Sequence, residues 1–388
     1  PTLTSGTHTI SSGGMNRTFI LRIPANYNNT TPYRLILGFH WLNGTANDVA
    51  TGGSSGASWA YYGMQEQARE TAILVAPQGL NNGWANTGGQ DITFVDNLIS
   101  RIENDLCVDT SQRFALGFSY GGAMSYSLAC SRPNVFRAVA VFAGAQLSGC
   151  SGGTQPVAYF GIHGISDNVL NISMGRSLRD TFVRNNGCTP QNPREPSPGS
   201  LTHITTVYSG CREGYPVQWA AFDGGHQASP MDGAPGDNGA RTWTKTEVWR
   251  FFSQFAGTSP TTPPTTPPVI PTTPPVIPTT PPVIPTTPPV NGGCSATVAS
   301  LDQWPGGFVI SVRVTAGSSG TNGWAVTLTL PAGSSVTNTW NATASGTSGT
   351  IRFTNVSYNG RLGPGQSTEF GFQGVGTGSG VTPTCTAL

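Results

Sequence analysis

A serine, an aspartate and a histidine stand in that order at three glycine-flanked places in the chain, and together they could carry out acyl transfer. Ser119 lies in Gly117-Phe118-Ser119-Tyr120-Gly121, between an apolar run, Arg113 to Phe118, and a helix-like segment, Tyr120 to Arg132. A serine on so tight a strand-to-helix turn projects its hydroxyl clear of the backbone, and the glycines leave room for the neighbouring chain. The turn also sets Ser119 at a helix N-terminus, where backbone N–H groups and the helix dipole favour the oxyanion of an acyl-transfer intermediate. Asp167 follows the run Val157 to His163, in His163-Gly164-Ile165-Ser166-Asp167, and His226 follows Val217 to Phe222, in Asp223-Gly224-Gly225-His226. In such a constellation His226 removes the Ser119 proton and later protonates the leaving alcohol, while Asp167 fixes the imidazole tautomer and stabilises the imidazolium.

Other side chains compete for these roles. Asp223 rivals Asp167, but it lies three residues before His226 in the same loop, a less usual source for the orienting carboxylate. His163 stands at a strand end near Asp167 and rivals His226. His40 opens His40-Trp41-Leu42-Asn43-Gly44 after the first central strand, where a second oxyanion donor would come from a backbone N–H. Tyr120 is one expected donor, with Trp41 or Leu42 as the other, and His40 itself is read as structural. Trp41, Trp84 and Tyr120 either line a cleft suited to a planar aromatic group or, for the two tryptophans, pack the loops. His8 and His203 are read as surface residues. No pair of histidines shows ligand spacing and no Cys-x-x-Cys occurs, so neither a metal nor another cofactor is expected.

These residues need a scaffold that brings three loops to one edge. Apolar runs at Arg34 to Phe39, Ala72 to Ala76, Arg113 to Phe118, Arg137 to Ala143, Val157 to His163 and Val217 to Phe222 have the continuous character of buried parallel strands. Between them, Val95, Leu98, Ile99, Ile102 and Leu106 recur at helical spacing, as do Val248, Phe252 and Phe255. Alternating strands and helices imply a doubly wound, mostly parallel sheet whose chemistry sits at the carboxyl ends of the strands. The order serine, aspartate, histidine is that of α/β-hydrolases.

The chain of 388 residues is too long and too uneven for one globule. From Gly257 to Val290 it repeats Pro-Thr-Thr-Pro-Pro-Val-Ile and holds 14 of the 31 prolines, which predicts an extended spacer of about 3.1 Å per residue. The expected division is therefore 1–256, a spacer over 257–293, and a second module over 294–388. The 19 basic and 18 acidic residues balance, which speaks against nucleic acid or anionic membrane as partners. No apolar run is long enough to span a bilayer, and Pro1 begins no signal peptide, so the numbering is expected to start at a mature, secreted protein. Sequons at Asn16, Asn28, Asn29, Asn43, Asn171, Asn341 and Asn355 fit that expectation.

Seven cysteines divide five before the spacer and two after it. Cys294 and Cys385 bracket the last module and are expected to pair. Cys107 precedes the strand leading to Ser119 and Cys130 ends the helix after it, so a helix antiparallel to its strand should bring them together. Cys188 and Cys211 form the next expected pair, leaving Cys150 odd and open to pairing with either of them.

The first 256 residues resemble secreted feruloyl esterases of the carbohydrate esterase group that also contains acetyl xylan esterases. The resemblance is carried by Gly38-Phe39-His40-Trp41-Leu42-Asn43-Gly44, Ala76-Pro77-Gln78-Gly79, Gly117 to Met124, His163 to Asp167 and Phe222 to His226. Where many relatives carry His-Gly, this chain has His40-Trp41. The resemblance implies hydrolysis of the ester joining ferulic or a related hydroxycinnamic acid to arabinose on xylan or pectin, through an acylated Ser119. Deacetylation of xylan by the same triad is the alternative within the class, and a non-catalytic polysaccharide-binding protein the alternative outside it.

After the spacer, short alternating runs such as Phe308 to Val314, Trp324 to Leu330 and Thr350 to Asn355 predict an all-β sandwich. This module resembles the family two cellulose-binding modules from Cys294 to Cys385. That resemblance implies a strip of aromatics stacking on the sugar rings of cellulose or xylan, at Trp304, Trp340 and Tyr358. Their polar neighbours agree with exposure, whereas Trp324 shares a strand face with Val326, Leu328 and Leu330 and is read as core.

Overall fold

A computed structural model describes residues 2–255, 293–304, 306–356 and 359–388. The proline-rich segment expected as a spacer, 257–293, lies outside the described residues except for Gly293. Nine strands form the sheet of the first unit: β1 (Gly6–Ser12), β2 (Met15–Arg22), β3 (Tyr33–Phe39), β4 (Ala72–Pro77), β5 (Val108–Phe118), β6 (Ala138–Phe142), β7 (Ala158–Gly164), β8 (His203–Val207) and β9 (Val217–Phe222). Their order across the sheet is β1-β2-β4-β3-β5-β6-β7-β9-β8. The six inner strands from β4 to β9 pair in parallel, and the β1–β2 hairpin and β8 add antiparallel edges. A short hairpin, β10 (Pro230–Met231) and β11 (Ala234–Asp237), follows β9.

The inner strands read as unbroken apolar runs because both of their faces are covered. Alternate residues part to opposite sides: Leu35, Leu37, Val75, Ala115, Val139 and Val141 join one buried cluster, and Ile36, Leu74, Phe114, Leu116, Ala140 and Phe142 the other. Helices α3 (Gln90–Glu103), α4 (Tyr120–Ser131) and α5 (Ile172–Asn185) cover the first face through Val95, Leu98, Met124, Leu128, Leu178 and Phe182. Helices α1 (Ala46–Thr51), α2 (Met64–Ala68) and α6 (Thr244–Ser253) cover the second through Val49, Met64, Val248 and Phe252. Each such large apolar side chain contributes about 1.5–3 kcal/mol by leaving water. The architecture is the α/β-hydrolase one, with the loops after β3, β5, β7 and β9 emerging at one edge.

The second unit is all β. One sheet runs β12 (Cys294–Trp304), β13 (Gly307–Ala316), β18 (Ser367–Val375), β15 (Ser335–Trp340). The other runs β16 (Ala342–Ala344), β17 (Thr350–Asn355), β14 (Trp324–Thr329), β19 (Thr384–Ala387). Phe308, Ile310, Val312, Val326, Leu328, Ile351, Phe353 and Phe372 fill the space between the sheets. Trp324 is fully buried there, stacked on Phe370 at 5.2 Å, as its strand pattern predicts.

The structure corrects one cysteine pairing. Cys130 is bonded to Cys150, and Cys107 is the free thiol; Cys188–Cys211 and Cys294–Cys385 are bonded. The expectation of Cys107–Cys130 treated α4 as returning straight back over its own strand. In a right-handed crossover the helix instead leans toward the next strand, β6, while Cys107 sits on the β3 side, its carbonyl accepting from Tyr33 N–H at 3.0 Å. Cys150 lies in the loop after β6, which returns to the end of α4, where Gly153 N–H donates to the Cys130 carbonyl at 3.0 Å.

Candidate active site

Ser119 occupies the turn between β5 and α4 with φ 56° and ψ −116°, a left-handed value costly for a residue with a Cβ. The strain is held by the surroundings. Ser119 N–H donates to the Phe142 carbonyl at 2.9 Å, and the Ser119 carbonyl accepts from Ala123 N–H at 3.0 Å to start the helix. Gly121 lets this turn press against the end of β3, since a Cβ there would fall 2.0 Å from the Phe39 carbonyl oxygen. The glycine is therefore a requirement of close approach.

The loops after β7 and β9 are neighbours because the strands pair in parallel, Gly164 opposite Phe222. They are also tied to each other, Ile165 N–H donating to the Phe222 carbonyl at 2.9 Å and the Ser166 hydroxyl to the Gly224 carbonyl at 2.8 Å. This brings Asp167 and His226 together and turns both toward Ser119. His226 Nδ1 lies 2.7 Å from Asp167 Oδ2, and His226 Nε2 lies 2.9 Å from Ser119 Oγ. With the carboxylate accepting from Nδ1–H, Nε2 is left as the acceptor for the serine hydroxyl. The Phe118 ring lies 4.6 Å from the imidazole and 6.3 Å from the Trp41 ring, forming a row of aromatic surface beside it.

Asp167 is buried and well provided with donors. Its Oδ1 accepts from Val169 N–H at 2.9 Å and Leu170 N–H at 2.8 Å, and its Oδ2 lies 3.3 Å from His163 Nε2 as well as against His226. Burial pushes this carboxyl up, and the His163 and His226 side chains override it, holding it well below the usual carboxylate range. These partners favour its anionic form.

The rivals fall elsewhere. Asp223 accepts from Leu201 N–H at 2.8 Å and is committed to that loop. His163 is fully buried, its Nε2 2.7 Å from the Leu170 carbonyl and its ring stacked on Trp219, so it braces Asp167 and does not approach Ser119 in place of His226. His203 is half-buried between Asp232 and Glu247 instead of lying free on the surface. Trp84 is fully buried and packs the loop, and Trp41 is half-buried beneath Gly44. Leu42 is 54% exposed beside Tyr120. The bracing role of Tyr62 described below is not visible in local sequence, because it depends on a contact between distant segments; that of His163 could be suspected from its place four residues before Asp167. Among the described residues no group of histidine, cysteine and carboxylate side chains could hold a metal ion.

Comparison with known proteins places this geometry in context. The chain matches the family model described as "Putative esterase" over residues 10–158 and the "Cellulose binding domain" model over residues 294–388. It is 48% identical over 260 residues to feruloyl esterase D of Neurospora crassa, covering 66% of this chain and 88% of that protein. The chain belongs to the feruloyl esterase family. It is a carboxylic ester hydrolase joined to a cellulose-binding domain. Feruloyl esterase C of Emericella nidulans is 47% identical over 231 residues, covering 60% of this chain and 82% of the relative. Among solved structures, the ferulic acid esterase of Anaeromyces mucronatus in complex with ferulic acid matches with a TM-score of 0.43 and 18% identity over 64% of this chain and 89% of that one.

In the cellulose-binding domain, Trp304 and Trp340 belong to β12 and β15. Their side chains, and Tyr358 as a whole, lie outside the described residues.

Proposed function

We propose that this feruloyl esterase is a secreted enzyme that cleaves hydroxycinnamoyl esters on the arabinoxylan or pectin of plant cell walls through a Ser119–His226–Asp167 triad. The reading is carried by one observation, the unbroken hydrogen-bond chain from Ser119 Oγ through His226 to Asp167 at 2.9 and 2.7 Å. As Ser119 Oγ attacks the ester carbonyl, its proton passes to His226 Nε2, and the carbonyl π electrons move onto oxygen. The backbone N–H of Tyr120, in the first turn of α4, and an N–H from Trp41 or Leu42 hold that oxyanion. Collapse breaks the bond to the sugar oxygen, which leaves with the proton from Nε2. A water molecule then gives its proton to Nε2 and releases the acid by the same steps reversed. Asp167 holds the tautomer and offsets the charge of the imidazolium.

The aromatic row of Trp41 and Phe118 supports a planar acyl group in the cleft. The family names of the relatives point the same way. The disulfides support an oxidising, extracellular destination, since such bonds persist where thiols are not kept reduced. The cellulose-binding domain would hold the enzyme on cellulose or xylan through Trp304, Trp340 and Tyr358, at the end of the 257–293 spacer. Hydrolysis of methyl ferulate and of acetylated xylan by the full chain and its Ser119→Ala variant tests the reading. Ferulate release that disappears in the variant is expected. Rapid acetate release with little ferulate would make the enzyme a xylan deacetylase, and undiminished hydrolysis by the variant would remove the triad.

A further inference from the structure

Three consecutive carbonyls at the end of β3 are each taken up by a buried side-chain donor. The Phe39 carbonyl accepts from the Tyr62 hydroxyl at 2.6 Å, and the His40 carbonyl from the Trp84 indole N–H at 2.8 Å. The Trp41 carbonyl lies 2.8 Å from His40 Nδ1 and also accepts from Gly44 N–H at 3.0 Å. Tyr62, Trp84 and His40 are at most 2% exposed, so water does not compete for these bonds. Tyr62 reaches further, its oxygen accepting from Phe118 N–H at 3.3 Å, one residue before the serine.

The proton on His40 can be assigned. Gly79 N–H donates to His40 Nε2 at 2.9 Å, and the Gln78 amide nitrogen lies 3.3 Å from the same atom. The Gln78 amide cannot be turned over, because its Oε1 accepts from Ala46 N–H at 2.8 Å. Facing donors, Nε2 is the acceptor, and the single N–H of the neutral ring sits on Nδ1, aimed at the Trp41 carbonyl. Burial pushes the His40 pKa down, ahead of the opposing effects of the Trp41 carbonyl and Asp48, so the ring remains neutral.

No cis peptide occurs among the described residues, and in a trans peptide the C=O and the following N–H point in opposite directions. With the Trp41 carbonyl turned into the His40 ring, the Leu42 N–H is turned away from it. Leu42 itself is on the serine side. A Cβ at Gly83 would meet the Tyr120 ring at 3.2 Å and a Leu42 methyl at 3.6 Å, and one at Gly121 would fall 2.7 Å from the His40 carbonyl oxygen. The segment 39–42 therefore lies against the first turn of α4.

We infer that His40 is a positioning residue of this esterase: its Nδ1–H, acting on the Trp41 carbonyl, aims the Leu42 N–H at the oxyanion that forms on the Ser119 adduct. The inference rests on the reading of Ser119 as the nucleophile, and it selects Leu42 over Trp41 as the second donor. The histidine touches no substrate atom. It acts by removing the freedom of one peptide to rotate, which matters more for the charged tetrahedral state than for the bound ester.

Two variants separate this role from mere support of the fold. His40→Asn places an amide nitrogen near Nδ1 and keeps a donor for the Trp41 carbonyl. His40→Gln places its amide near Nε2, keeps a partner for Gly79 and loses that donor. Both delete the ring, so their difference reports on position. With methyl ferulate, His40→Gln is expected to lower kcat about 10- to 100-fold with KM within about threefold, and His40→Asn to recover about tenfold of that loss. The affinity of a boronic acid that forms a tetrahedral adduct on serine should fall in step with kcat/KM in His40→Gln, while that of free ferulate holds. Equal kcat losses in the two variants that track a fall in Tm would overturn the inference. Should neither variant fold, the nitrogen shifts of 15N-labelled histidine in the parent enzyme must place the His40 proton on Nδ1, and a proton on Nε2 overturns the inference. If Ser119→Ala is inactive while His40→Gln keeps its kcat, only the positioning role falls; if Ser119→Ala stays active, the underlying reading falls with it.

Discussion

Replacing Asp167 by Asn tests the electrostatic logic of the site, because the substitution keeps shape and reverses one hydrogen bond. Oδ1 faces two backbone donors, Val169 N–H at 2.9 Å and Leu170 N–H at 2.8 Å. An asparagine must therefore keep its oxygen there and place its NH₂ group at the Oδ2 position. That position faces His226 Nδ1 at 2.7 Å and His163 Nε2 at 3.3 Å, which are donors now and would meet a donor. His226 can escape only by moving its proton to Nε2, and an imidazole protonated there cannot accept the Ser119 hydroxyl proton. The expected loss in kcat is that of a wrong-tautomer triad, about 10⁴-fold, or about 5.4 kcal/mol of barrier. Steady-state hydrolysis of methyl ferulate at neutral pH measures it, with Tm checked in parallel. Asp223→Asn, altering a carboxylate whose partner is Leu201 N–H, should stay within about threefold of the parent. A loss of less than tenfold in Asp167→Asn with the fold intact would refute this tautomer argument.

The remaining predictions concern the framework. Replacing Cys130 and Cys150 by Ala frees a 20-residue separation and should lower stability by about 3 kcal/mol, read from denaturant midpoints, while Cys107→Ala should change it by less than about 1 kcal/mol. For His203, 2.8 Å from Asp232 and 3.1 Å from Glu247, burial lowers the pKa but the two carboxylates override it and raise it; burial raises Glu247 and His203 overrides it and lowers it. A raised histidine stabilises fully below its unfolded value of about 6.5 and loses that contribution as pH rises through the folded value. A lowered glutamate loses its contribution as pH falls below about 4.5. The Tm advantage of the parent over His203→Gln, on the order of 3 °C, should thus be greatest between those two values and shrink above them, and an advantage that grows toward alkaline pH would contradict the ion pairing. Trp340→Ala should weaken retention on cellulose about tenfold and leave hydrolysis of small soluble esters unchanged, whereas equal losses in both assays would contradict independent modules.

What could be read from the sequence follows from how far each signal reaches along the chain. The strands from Tyr33–Phe39 to Val217–Phe222 announce themselves because they are apolar on both faces, and the elbow at Ser119 because strand, glycine and helix follow within a few residues. The edge strands β1 and β8 carry little apolar signal, although the Gly13-Gly14 turn between β1 and β2 is a usable hairpin mark. Gly6–Ser12 is largely exposed and His203–Val207 only half-buried, so neither needs the apolar content that marks an inner strand. Helix α5 carried a usable signal in Ile172, Leu178 and Phe182, which share its buried face. The loop positions of Asp167 and His226 were legible as residues after strands, whereas the contacts that orient them were not. Tyr62 reaches Phe39 from a segment 23 residues away, and the Cys130–Cys150 bond depends on which neighbouring strand a crossover approaches. Each is a consequence of packing between segments, and no local pattern encodes it.

The central claim is that Ser119, activated by His226, forms the covalent acyl intermediate. Incubating the full-length enzyme with a fluorophosphonate that esterifies activated serines, then mapping the adduct by peptide mass spectrometry, tests it most directly. The account predicts one adduct per chain, on the peptide containing Ser119, accumulating in proportion to the loss of ferulate release and slowed by at least about a hundredfold in His226→Ala. Inactivation with the adduct on another residue, or labelling of Ser119 that proceeds at an undiminished rate without His226, would contradict it.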